Sequence, residues 1–237
     1  MPIDYNTKLL LHLNDDWTDS STYGHDVDTV SGAIISTTVK KFGAGSGYFD
    51  RINDYARINH HSDFNFGTGE FTIEFFLRYN NTVQTFDVSF GKLQPSSWGD
   101  GWGFWWDGTY NIRFMCPWGT DAYSSTAFGG FSKGVWYHVA AVRVGSTITL
   151  YRDGVAGNVT VSKGTSIDTT RNINIGYDGS GYYSEMNIDE IRISNVARYT
   201  SNFTPPVAEF DIGSEGGLLI HPGMGGGMRS LCGGFRA

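Results

Sequence analysis

Charge is scarce in this chain. Asp, Glu, Lys and Arg supply only 17 % of its 237 residues, below the usual quarter of a globular domain. Basic residues are outnumbered by acidic ones, 17 to 24, giving a formal net charge of −7. No cluster of Lys and Arg occurs. Non-specific nucleic-acid binding depends on such residues meeting phosphates, so the composition argues against a nucleic-acid partner and against attraction to anionic lipid. No stretch approaches the length of a membrane span, which argues against membrane insertion. The opening residues, Met1 to Tyr5, lack a basic region followed by an apolar run, so no secretory signal is read and synthesis in a cytoplasm is expected. Cysteine is limited to Cys116 and Cys232. Two distant cysteines make no disulfide framework, and both are read as reduced thiols. Helical periodicity is almost missing too.

What remains is rich in aromatics (15 %) and glycine (32 residues), with a hydrophobic fraction of 40 %. Aromatic and β-branched residues favour pleated surfaces. From Phe71 to Leu77 they alternate: Phe71, Ile73, Phe75 and Leu77 on one face, Thr72 and Glu74 on the other, with Phe76 interrupting the polar face. Period two marks a half-buried strand. Gly103–Trp106, Asp107-Gly108 and Tyr110–Cys116 predict a hairpin, because Asp-Gly supplies the positive φ of a tight turn. Ile112, Phe114 and Cys116 then share a face, which makes Cys116 a small core residue. Val135–Val144, Ile148–Arg152, Ile173–Gly176 and Met186–Ser194 are further strands, with turns at Gly145-Ser146 and Asp153-Gly154. Strands at this spacing predict an all-β sandwich or barrel. Arg198–Phe203 is expected to form one helical turn before Pro205-Pro206 stops it. A boundary near Pro206 divides the chain into a sandwich, residues 1–206, and a Gly-rich C-terminal arm, residues 207–237.

Several motifs combine along the first part. Leu9-Leu10-Leu11-His12-Leu13 opens it, followed by Asp19-Ser20-Ser21, Gly24-His25, Lys41-Phe42-Gly43-Ala44-Gly45-Ser46, Tyr48-Phe49-Asp50 and Asp54-Tyr55. Later come Trp136-Tyr137-His138-Val139-Ala140, Leu150-Tyr151-Arg152-Asp153-Gly154, and Ile188-Asp189-Glu190-Ile191-Arg192-Ile193-Ser194-Asn195. In this order they resemble the laminin-G-like branch of the concanavalin A-like lectin/glucanase superfamily, over roughly Leu9 to Pro206. The resemblance implies two antiparallel sheets in a jelly roll. The ending from Arg192 to Pro206 is most similar to versions found in structural proteins of tailed bacteriophages.

The superfamily includes retaining glucanases, whose catalytic strand carries E-x-D-x-E so that the carboxylates share a face. Here the nearest pattern is Glu185 to Glu190, where Asp189 and Glu190 are adjacent and only Glu185 and Asp189 share parity. No coherent catalytic set emerges, and the chain is read as non-enzymatic. His60-His61 lies on a polar loop without a cysteine or second carboxylate at ligand spacing, and is not read as a zinc site. Asp189 is placed on the face of Ile191 and Ile193, where a buried carboxylate needs a partner. Backbone amides or an Arg can serve. The resemblance also implies a structural Ca²⁺, for which Asp19 and Asp189 are the candidate ligands.

Exposed aromatics are candidates for stacking on sugar rings: Trp98 and Trp102 in the Trp/Gly stretch from Ser97 to Trp106, with Tyr182 and Tyr183 on a Gly-flanked loop. In the arm, Leu218, Leu219, Ile220, Met224 and Met228 are too apolar for a free linker, so an assembly arm docking on a neighbour is expected. The main expectation is a virion structural protein: a capsid decoration, fibre or tail component, attached through the arm to other virion proteins and oligomeric. The alternative is a carbohydrate-binding adhesion module recognising host-surface glycans.

Overall fold

The computed structural model describes residues 4–80, 88–93, 101–106, 112–116, 120–123, 131–179 and 181–213. In chain order the strands are β1 (Thr7–Leu11), β2 (Val27–Val30), β3 (Ile34–Ser36), β4 (Ser46–Asp50), β5 (Tyr55–Ile58), β6 (Phe71–Tyr79), β7 (Val88–Leu93) and β8 (Gly101–Trp106). They continue with β9 (Ile112–Cys116), β10 (Thr120–Tyr123), β11 (Trp136–Val144), β12 (Thr147–Arg152), β13 (Val155–Ala156), β14 (Val161–Ser162), β15 (Ile173–Ile175) and β16 (Glu185–Ser194). One 3-10 turn, Ser62–Phe64, is the only helical element among the described residues. None of their helices is long and apolar enough to cross a membrane.

The strands form two antiparallel sheets, the jelly-roll sandwich that the resemblance implies. The larger runs β13-β12-β11-β6-β16-β4-β3, with β1 beside β16 and β14 beside β12. The smaller runs β10-β9-β8-β7-β15-β5-β2. Between them lies the core. Phe71, Ile73, Phe75 and Leu77 of β6 face inward, and the Phe75 ring meets Phe90 at 5.7 Å and Phe104 at 4.8 Å, both edge-on. Edge-to-face contact suits the ring quadrupoles. Ile112, Phe114 and Cys116 share the core face of β9, as expected. At the β12–β13 turn Asp153 and Gly154 both take positive φ, 49° and 75°, the pair that a tight hairpin turn requires.

The outer face of the larger sheet departs from the alternation rule. Glu74, expected on a polar face, is completely buried. Arg192 holds its Oε1 at 2.7 Å (Nη2) and 2.8 Å (Nε). His138 Nε2 lies 3.1 Å from Oε2, and the Tyr199 hydroxyl donates to Oε2 at 2.8 Å. The lid is the chain that follows β16. Ala197, Tyr199 and Phe203 pack on Ala140, Val142 and Tyr151, and the Tyr199 and Phe203 rings stack at 3.5 Å.

This segment is an irregular strap, and the helical turn expected at Arg198–Phe203 does not form. Lying flat on the sheet half-buries both rings. Arg198 meanwhile bonds Ser194 Oγ, Thr7 Oγ1 and Asp4. The strap continues past Pro206. Phe210 is buried with Leu10 and Phe76, and the Asp4 amide donates to the Ile212 carbonyl at 2.7 Å. Contacts with the larger sheet and the N-terminal segment therefore continue beyond the boundary expected near Pro206, as far as Ile212. Leu218, Leu219, Ile220, Met224, Met228 and Cys232 lie outside the described residues.

A bulge reshapes β16. Its pairing with β6 shifts register between Asp189 and Arg192, and Glu190 takes φ 51°. The core residues are Met186, Ile188, Ile191 and Ile193, so the period-two count gains one residue after Ile188. Asp189 therefore does not share the face of Ile191 and Ile193. It turns to the outer layer, where its Oδ2 accepts the amides of Lys41 (2.8 Å) and Phe42 (3.1 Å).

Candidate functional site

The outer face of the smaller sheet gathers aromatic rings. In β5, Ala56 and Ile58 point into the core, so alternation sends Tyr55 and Arg57 outward. Next to β5 runs β15, whose Ile173 and Ile175 are core residues. The chain then leaves the core at Gly176, with φ 83°. A Cβ there would sit 2.7 Å from the Phe49 ring, so only glycine lets this turn form so close to the core. Beyond it Tyr177 and Tyr183 pair as an isolated bridge across a short loop. Asp178 organises that loop: its Oδ1 accepts the Gly181 and Tyr182 amides, each at 3.0 Å, while its own amide donates to the Tyr182 carbonyl at 3.1 Å.

The result is a fixed group of phenols. Tyr177 and Tyr183 stack at 4.6 Å with planes 16° apart. Tyr55 lies 4.9 Å from Tyr177 and 6.4 Å from Tyr183. Arg57 Nη2 donates to the Tyr55 hydroxyl at 2.6 Å, and its guanidinium sits 5.1 Å from the Tyr55 ring. Burial holds the Tyr177 phenol above its ordinary range, helped by Tyr183 and Asp178. The phenol thus stays a neutral donor at physiological pH. Tyr182 is the most open of the set, 49 % exposed. Rings with an apolar face and a hydroxyl rim, next to a guanidinium, can take the C–H face of a sugar and bond its hydroxyls.

Of the aromatics proposed from sequence, Tyr183 belongs to this stack, and Tyr182 lies beside it on the same loop, exposed. Trp98 lies outside the described residues. Trp102 is corrected: it has no exposed surface and packs against Phe90 at 5.6 Å and Phe114 at 6.2 Å. In β8 it shares the inward parity of Phe104, so it cannot stack on a ligand. Tyr55, Arg57 and Tyr177 were missed. The alternation Tyr55-Ala56-Arg57-Ile58 carried the signal for the first two, but Tyr177 depends on where Gly176 turns the chain.

The two carboxylates proposed for calcium have different partners. Asp19 Oδ1 accepts the Leu10 and Ser21 amides, both at 2.9 Å, and Oδ2 accepts Ser21 Oγ at 2.9 Å and the His25 amide at 2.8 Å. Four donors use the four lone-pair sites of a carboxylate, which leaves none for a cation. Asp189 shares none of these partners. Burial raises its carboxyl to about 7, against the pull of the two amides that it accepts. The joint Asp19–Asp189 calcium site does not fit these surroundings, and both residues take the backbone-amide role instead. A further group, His12, Glu190 and Glu209, gathers one imidazole and two carboxylates. Its carboxylates are already engaged, Glu190 with His12 Nδ1 at 2.8 Å and the Phe210 amide at 2.7 Å, and Glu209 with Asn14 Nδ2 at 2.6 Å.

Among the described residues, the carboxylate pair and the serine motif do not form a catalytic arrangement. Asp189 has no exposed surface, so the Glu185/Asp189 pair cannot flank a sugar bond. Gly130-Phe131-Ser132-Lys133-Gly134 matches the spacing of a serine-nucleophile turn. That turn requires a strand before and a helix after, whereas Ser132 is followed by β11 and its amide donates to the Tyr137 hydroxyl at 3.0 Å. A groove lined by Ile34, Ser36, Thr38, Val39, Tyr48, Asn80 and Asn187 is more apolar than polar. Its amides satisfy one another, Asn80 Nδ2 bonding Asn187 Oδ1 at 2.8 Å and Asn187 Nδ2 bonding Ser46 Oγ at 2.9 Å.

Comparison with known proteins agrees with the fold. No curated protein sequence matches the chain. The binding domain of Paraclostridial mosquitocidal protein 1 superposes with a TM-score of 0.66 at 17 % identity, over 82 % of this chain and 50 % of that one. The binding domain of botulinum neurotoxin serotype D gives 0.64 at 12 % identity, over 83 % and 49 %. The chain thus spans about half of each toxin binding domain. Domain 4 of AbnA, an extracellular arabinanase of Geobacillus stearothermophilus solved with arabinotriose, gives 0.63 at 14 % identity, over 82 % of this chain and 94 % of that one. Similarity at these identities shows the fold alone. Residues 50–201 match the model of the concanavalin A-like lectin/glucanases superfamily. With more than half its length matched, from the end of β4 to the strap, the chain belongs to the concanavalin A-like lectin/glucanases superfamily.

Proposed function

We propose that this domain binds carbohydrate, without catalysis, through Tyr55, Arg57, Tyr177, Tyr182 and Tyr183. The observation that carries the reading is the preorganised phenol stack beside Arg57 on the outer face of the smaller sheet. Rings already packed against each other lose little freedom when a ligand docks, which favours affinity. The arabinanase domain solved with arabinotriose supports the reading, since it matches this chain over almost its whole length. The toxin binding domains support binding over catalysis in the same way. For the virion role the described residues and these similar structures offer no comparable support.

A glycan array probed with the purified chain is expected to give saccharide hits, with affinities then measured by calorimetry. Tyr177→Ala and Tyr183→Ala should each weaken the best hit by about 1–2 kcal/mol, roughly 5- to 30-fold. Trp102 lies in the core, so a Trp102 substitution would report on folding and not on the ligand surface. Unchanged affinity in both tyrosine variants would move the site elsewhere. An array without hits would remove the carbohydrate reading.

A further inference from the structure

A second cluster lies at the edge of the smaller sheet, and it owes nothing to the phenols. We propose that His25, His61 and Asp63 bind a divalent transition-metal ion of the zinc class. His25 Nε2 lies 3.2 Å from Asp63 Oδ2, and His61 Nδ1 lies 3.0 Å from the same oxygen. All three ligand atoms fall within 4.8 Å of one another. A tetrahedral ion with metal–ligand bonds near 2.0 Å spaces its ligands about 3.3 Å apart. The two measured separations already approach that edge.

His25 gives a further observation. Its side chain is only 10 % exposed. Its Nε2 is buried and makes no hydrogen bond, although the carboxylate is beside it. A buried polar atom left in this condition carries a free-energy cost, which a metal bond would remove. The ring cannot easily turn away, because Phe64 lies 4.6 Å from it and His61 lies 4.9 Å away. The backbone on both sides is fixed. The His25 amide is held by Asp19, and the 3-10 turn carrying Asp63 is anchored by the fully buried Phe64.

His61 is more open, with 53 % of its side chain exposed. Its Nδ1 also accepts the Asp63 amide at 3.2 Å. Metal binding gives up that one bond at a solvent-facing turn, where water can replace it. A cleft lined by Gly24, Asp26, Asn59 and His60 leads to the group, so a water molecule can complete the coordination. Two imidazoles select zinc, copper, nickel or iron over calcium and magnesium, which prefer oxygen ligands.

The test uses the full chain without a histidine tag, stripped by chelator and titrated with Zn²⁺ by calorimetry. Co²⁺ serves as a visible-absorbing substitute. One equivalent is expected to bind and to raise the melting temperature. His25→Ala and Asp63→Ala should each weaken Zn²⁺ binding by at least about 100-fold, since even outer residues of such sites cost 10- to 100-fold. His60→Ala should bind like the parent, because His60 is not among the three ligands and its Nδ1 is engaged by Lys92 Nζ at 3.2 Å. If His25→Ala does not fold, His61→Ala on the exposed side replaces it. Absence of Zn²⁺ binding, parent-like binding in the ligand variants, or equal loss in His60→Ala would overturn the proposal.

Discussion

Glu74→Gln is expected to destabilise the fold by about 3–5 kcal/mol at neutral pH. The carboxylate is fully buried on the outer face of β6, with Arg192, His138 and Tyr199 on its two oxygens. A neutral amide leaves the Arg192 guanidinium buried without its counter-charge, and Arg192 is itself only 8 % exposed. Burial alone would raise the Glu74 carboxyl. The Arg192 charge and the His138 contact outweigh burial and hold it at about 2, against an ordinary value of 4.5. A carboxyl whose folded value is depressed stabilises the fold above its unfolded value, and that contribution is lost as pH falls through the folded one.

Urea melts at a series of pH values should therefore show about 3 kcal/mol of the parent's advantage over Glu74→Gln present above pH 4.5 and disappearing towards pH 2. The double variant Glu74→Leu/Arg192→Leu should recover much of the loss, because removing both charges leaves neither unpaired. A double variant as weak as the two single losses combined would show that the pair adds little to its own stability and that packing dominates.

Gly154→Ala should be comparably severe, at about 3–5 kcal/mol. Two costs add. Its φ of 75° is unfavourable for any residue with a Cβ, worth about 1–2 kcal/mol. The new Cβ would also sit 1.7 Å from the Phe203 carbonyl oxygen. The strap must then lift, which breaks the Phe203 amide bond to the Gly154 carbonyl and loosens Phe203 over Tyr151. Fully exposing a buried aromatic costs about 1.5–3 kcal/mol, which bounds the loss from the half-buried Phe203. Gly145→Ala separates the two causes. It has positive φ, 56°, but nothing within 4 Å of the added carbon, so only the conformational cost remains. Denaturant midpoints should fall far more for Gly154→Ala, and limited proteolysis should cut that variant after Ser194. Equal midpoints would mean that the strap yields without cost.

The contrast between the faces of β6 explains what sequence could and could not show. Phe71, Ile73, Phe75 and Leu77 announce a core face by themselves, because a strand has only two sides. Nothing near Glu74 announces that its side is buried as well. Its cover, Tyr199 and Phe203, lies more than 120 residues further along the chain, and the irregular strap carries no periodicity. The Asp153-Gly154 turn was legible because the backbone demands those residues there. Asp189 was misplaced because the bulge adds a residue that alternation cannot foresee. The candidate site was half legible for a similar reason. Tyr182 and Tyr183 stand out beside their glycines, but Tyr55 joins them only through the pairing of β5 with β15. His25 and Asp63 are likewise 38 positions apart in the numbering, and only the packing of His25 on Phe64 unites them.

The Asp4–Ile212 contact and the Thr7–Ser194 pairing bring the two described ends of the chain together at one place. This arrangement sets how the domain would respond to mechanical load. A force drawing the ends apart would act on the antiparallel β1–β16 pair from its open end, breaking bonds in succession instead of shearing them together. The strap would peel earlier still, since side-chain and isolated backbone contacts hold it in place of a ladder. Tension would thus be spent first on lengthening residues 195–212, while the tyrosine stack on the opposite sheet kept its shape.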